Sequence, residues 1–175
     1  MKKAFLSFAR QNEEANKTIA GILGKLSNDD REKDRKSYYK SLSALFRHNY
    51  EAAAYFLGLY KSAVPENAVA QKAVMPLAKL EELKGKLTED QWKKAVSFSK
   101  IADKAMVDFI GALKDSDFDA QVKIDWYKGK PPSTPLWFML EQFIAHNIHH
   151  RGQISQILDS LKIDNDYSGI NLKFL

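Results

Sequence analysis

Three of the four histidines in this 175-residue chain fall in one stretch, Ala145-His146-Asn147-Ile148-His149-His150-Arg151. On a helix, His146 and His150 are four apart and share a face, with Cβ atoms roughly 5–6 Å from each other, so both imidazoles can reach one ion. Stepping by three and four from the pair meets Met139, Phe143, Ile154, Ile157 and Leu161, which predicts that both rings point inward. His149 is rotated by about 100° from His150 and belongs to a flank. The remaining histidine, His48, falls in a second apolar row, Leu45, His48, Ala52, Tyr55, Leu59. A lone inward histidine is usually a hydrogen-bonded core residue. One that faces an inward pair on another helix has the makings of a metal centre.

Neutral imidazole is the commonest zinc ligand and also suits nickel, copper and iron. Three such ligands leave coordination positions open, as catalytic rather than closed structural sites do. Near such an ion, water, an alcohol or a thiol loses its proton more readily at neutral pH. The His-x-x-x-His spacing lacks the glutamate that zinc proteases carry directly after the first histidine, so protease chemistry is not expected. Gln153, three residues beyond His150, and Tyr55, two turns beyond His48, are candidates to orient a ligand or substrate, with Glu51, Asn49 and Glu141 as outer partners. Two other readings stand beside the enzyme: a non-enzymatic metal-binding or stress-response protein with a structural metal, and a helical domain whose histidines only satisfy core hydrogen bonds.

Composition narrows the classes. With no cysteine in the chain, disulfides, thiolate nucleophiles and cysteine-type metal sites are excluded, and any thiol in the chemistry must be a small-molecule partner, for which a basic or polar pocket is expected. The net charge of +5 is not concentrated on one run: the densest stretch, Arg31-Glu32-Lys33-Asp34-Arg35-Lys36, mixes both signs. No nucleic-acid partner is expected. The start, Met1-Lys2-Lys3-Ala4-Phe5-Leu6, resembles a signal peptide but meets Arg10 without a cleavage site and reads as a mature helix. No apolar run approaches the roughly 20 residues that span a bilayer, which implies a soluble, cytoplasmic protein with no membrane partner.

The elements that must position these residues follow from periodicity. Helical spacing runs from Ala4 to about Leu26, from Tyr38 to before Pro65, and from the capping-box sequence Thr88-Glu89-Asp90-Gln91 to Leu113. Residues 27–33 read as a connection, and 65–86, interrupted by Pro76, as a broken helical connector. From Phe118 to Trp126 the period becomes two, predicting a strand ended by Gly129-Lys130-Pro131-Pro132. Thr134 and Pro135 then fit the N-cap and first position of a last helix ending near Leu161. The expected fold is an all-α four-helix bundle with a short accessory connector and a small strand-like segment, as one domain over 1–175.

The run His146-Asn147-Ile148-His149-His150-Arg151-Gly152-Gln153, preceded by Phe143 and followed by Ile157-Leu158, resembles the C-terminal motif of the DinB-like (DinB/YfiT) family. His48 falls where that family carries its first metal-ligating histidine. The resemblance covers Ala4 to about Leu161 and implies a four-helix bundle with zinc or nickel on His48, His146 and His150. It also implies frequent homodimers, for which Phe138 and Ile148 supply apolar surface outside the inward rows. Some relatives are transferases using low-molecular-weight thiols such as bacillithiol or mycothiol, so the implied activity is a metal-dependent hydrolase or thiol transferase on a small-molecule substrate.

Overall fold

A computed structural model describes residues 1–124, 132–167 and 172–174, with the backbone alone at 77–79. The long helices are α1 (Lys2–Leu23), α3 (Leu42–Ala63), α4 (Glu89–Ala112) and α5 (Leu136–Ser160), with a short α2 (Asn28–Glu32) between the first two. Both α1 and α3 pack against α4 and α5, closing a ring in which α3 and α5 are neighbours. Ile19, Leu23, Leu45, Tyr60, Phe109, Phe143 and Ile154 fill the centre. The fold is an all-α bundle, as the apolar periodicity requires.

The helix starts are chemically marked. The Ser41 hydroxyl accepts from the Ala44 amide at 3.1 Å. At α4 the capping box forms in full: Thr88 Oγ1 accepts from Gln91 N–H, and Gln91 Oε1 accepts from Thr88 N–H. These bonds satisfy amides that have no partner within the helix. Residues 27–33, read as a plain connection, instead hold α2, because Ser27 caps the amide of Asp30. The charged run there is also more than a solvated face. The fully buried Arg31 guanidinium donates to the carbonyls of Leu23 and Leu26 at the end of α1, pairs with Glu89 at the start of α4, and rests over the Trp92 ring.

Three expected boundaries move. The second long helix begins at Leu42 rather than near Tyr38, because Lys36 and Lys40 adopt left-handed conformations (φ 58° and 65°) that end any right-handed helix before Ser41. The strand is short: β1 (Gln121–Lys123) pairs antiparallel with β2 (Ser133–Pro135), Val122 opposite Thr134, while Phe118 belongs to a 3-10 turn at Asp115–Asp119. Asp125, Trp126 and Gly129-Lys130-Pro131 lie outside the described residues. Thr134 and Pro135 do not open the last helix in the expected way: both sit in β2, Pro135 becomes the residue before α5, and no side chain caps it. The Leu136 amide instead donates to the Ala120 carbonyl at 2.9 Å, so the hairpin does the work of a cap. The 65–86 connector is irregular, with 3-10 turns at Ala70–Lys72 and Leu77–Leu83.

Candidate metal centre

The site forms where α3 lies against α5, fixed by the Tyr60 hydroxyl donating to the Met139 carbonyl at 2.6 Å. The true buried stripe of α3 runs through Leu45, Asn49, Ala53, Phe56 and Tyr60. His48 therefore sits at the edge of the core rather than in its middle, and Tyr55, expected in the inward row, is 48% exposed. On α5, His150 is buried beside Ile154, His146 is half-buried, and His149 faces solvent. Leu161 and Ile157 are only partly covered.

The three histidines selected from the sequence converge. One ring nitrogen from each of His48, His146 and His150 lies within 4.8 Å of the other two. The ring centroids are 4.9 Å apart for His48 and His146, 4.5 Å for His48 and His150, and 4.4 Å for His146 and His150. Nε2 of His48 is 3.0 Å from Nε2 of His146. A tetrahedral ion with bonds of ~2.0–2.1 Å holds its nitrogens about 3.4 Å apart, so the cluster has the dimensions of a three-imidazole site.

Protonation favours the ligand form. Burial, reinforced by the proximity of His150, pushes His48 down to about 4. Burial and then the charges of His150, His48 and His149 push His146 down to about 4 as well. His150 is also lowered by burial, opposed by its bond to Gln153. Three neutral imidazoles offer lone pairs, whereas three imidazolium ions would repel one another.

Nδ1 of His150 donates to Gln153 Oε1 at 2.7 Å, which leaves the lone pair on Nε2. Tyr39, in the loop before α3, stacks on His48 at 4.4 Å and meets His150 edge-on at 5.3 Å. Tyr39 was not among the residues picked from the sequence, because the helical spacing read from Tyr38 onward placed it in the second helix rather than in the loop that folds over His48. A cavity of about 1010 Å³ is lined by His48 and His146 but not by His150 or Tyr39. Ala52, Phe56, Ile124, Phe138 and Met139 form its apolar wall, and Glu51, Tyr55, Thr134 and Gln142 its polar positions. No lysine or arginine lines it among the described residues, so of the basic or polar pocket expected for a small thiol it offers polar positions and no basic ones. Of the other outer candidates, Asn49 is buried and Glu141 exposed.

Behind the cluster, Arg151 donates to Asn12 Oδ1, and Asn12 and Asn16 both donate to Asp103 Oδ1. This chain of bonds ties α5 to α1 and α4. Burial pushes the Asp103 carboxyl up to about 8, against the opposing bonds from the two asparagines and the charge of Arg151.

A helical bundle with three converging imidazoles on adjacent helices defines a class of candidate metalloprotein. The profile of the DinB family matches residues 1–161, and the chain belongs to that family. No curated protein and no solved structure gives a significant match. No helix among the described residues is long and apolar enough to cross a membrane.

Proposed function

We propose that this protein is a metal-dependent enzyme acting on a small-molecule substrate, with His48, His146 and His150 holding a divalent zinc or nickel ion. The observation that carries the reading is the convergence of three neutral imidazoles at a large open cavity that touches two of them. When bound, such an ion acts as a Lewis acid and lowers the pKa of a water or thiol that reaches it. The chain's own residues do the rest. Gln153 fixes the tautomer of His150, Tyr39 packs against the rings of His48 and His150, and Tyr55, Thr134 and Gln142 offer polar contacts to a molecule entering the cavity. The reaction is hydrolysis, or transfer to a low-molecular-weight thiol supplied from solution. A purely structural metal would favour a closed site, and the open cavity argues for the enzyme. The reading includes a cytoplasmic homodimer, in which exposed Ile148 is available for contact.

The test is elemental analysis of untagged protein purified without chelator, for wild type, His48→Ala and His146→Ala, followed by hydrolase and thiol-transfer screens. About one ion per chain, lost in both variants together with activity, is the expected result. Wild type that takes up no zinc or nickel from excess would overturn it. Sedimentation velocity across a concentration series checks the dimer.

A further inference from the structure

The cavity beside the histidines has its own chemistry. Its volume of about 1010 Å³ is at the upper end of small-molecule sites, which run to ~1000 Å³. Ala52, Phe56, Phe138 and Met139 supply its apolar wall. Apart from the histidines and the Tyr55 phenol, its one ionisable group among the described residues is Glu51. Arg47, the cation paired with Glu51 at 3.4 Å, is already engaged, donating to the carbonyls of Leu83 and Gly85. An anionic body entering this cavity would lose its hydration and meet no side-chain cation among the described residues that line it, which is strongly unfavourable. An apolar body loses nothing comparable and gains from burial.

We infer that the cavity binds an uncharged, predominantly apolar molecule whose one polar end lies against His48 and His146. A highly polar thiol is not the occupant of this space, and in a transfer reaction it would approach separately. The inference rests on the proposed enzyme for the orientation of the ligand, but not for the binding itself. Thr134 and Gln142 supply the few hydrogen-bonding positions that orient such a molecule.

The test uses two fluorescent probes of similar size, the neutral N-phenyl-1-naphthylamine and the anionic 1-anilinonaphthalene-8-sulfonate, titrated into full-length protein before and after chelator treatment. Metal content is measured on each sample. The neutral probe is expected to bind at least tenfold more tightly than the anionic one after chelation. Ala52→Phe, which fills the cavity, and Phe138→Asp, which charges a wall residue that is half-exposed and so safe for folding, should each weaken the neutral probe at least tenfold while retaining metal. Equal or tighter binding of the anionic probe to chelated protein overturns the inference, as does unchanged affinity in folded Phe138→Asp. Probe binding by a protein that takes up no metal would sink the enzyme and leave the cavity assignment standing. Metal uptake without probe binding would do the reverse.

Discussion

Nδ1 of His150 and Oε1 of Gln153 lie 2.7 Å apart, one turn along α5. An amide oxygen only accepts, so the imidazole proton is held on Nδ1 and the free lone pair on Nε2. Gln153→Leu removes that constraint without changing the donor set. Metal affinity is expected to fall by roughly 10- to 100-fold, and Gln153→Glu to restore it, as measured by competition with a chromogenic chelator. Unchanged affinity in Gln153→Leu would show that packing alone orients the ring.

The depressed histidines set an acid limit. His48 and His146 titrate at about 4 in the fold and at 6.5 when free. The unfolded chain therefore binds more protons between those values, and stability rises with pH across that window. Metal-free protein should show its histidine contribution in full above pH 6.5 and lose it as pH falls through about 4. Thermal melts of chelated wild type and His48→Ala between pH 4 and 7 check this, with a flatter profile expected for the variant.

Asp103 acts with the opposite sign. Its carboxyl is raised from 3.8 to about 8 in the fold, so the folded state holds the proton that the unfolded state releases. Its contribution is complete below pH 3.8 and disappears as pH rises through about 8. Asp103→Asn keeps an acceptor for Asn12 and Asn16 but cannot ionise. The variant should unfold with little pH dependence from this position and match or exceed wild type at pH 9 in urea titrations.

Tyr60 holds the two histidine-bearing helices together through its bond to the Met139 carbonyl. Tyr60→Phe keeps the ring in the core and deletes one buried hydrogen bond. The expected cost is about 1 kcal/mol in urea unfolding, with metal stoichiometry preserved. Loss of metal in a fully folded variant would show that this bond sets the spacing of His48 and His146.

The helices and the three histidines were legible in the sequence because both obey local rules. Apolar residues at helical spacing bury one face, and residues four apart on a helix share that face whatever surrounds it, so His146 and His150 could be paired without a structure. The motif from His146 to Gln153 located the family for the same reason: it is a contiguous run on one helix. The capping box at Thr88 was equally local.

What the sequence could not decide is how separate elements meet. The helical spacing read from Tyr38 onward placed Tyr39 in the second long helix, and only the left-handed turns at Lys36 and Lys40 reveal that it lies in a loop folded over His48. Thr134-Pro135 has the local form of a helix start, yet pairing with residues 121–123 draws it into a strand. Arg31 lies in a charge run that looks solvated until α1 and α4 enclose it. The cavity is assembled from α3, α5 and the hairpin, and its apolar character belongs to no single segment. Local spacing fixed which side chains could bind a metal; the long-range packing of α3 against α5 decided that they converge and what space they face.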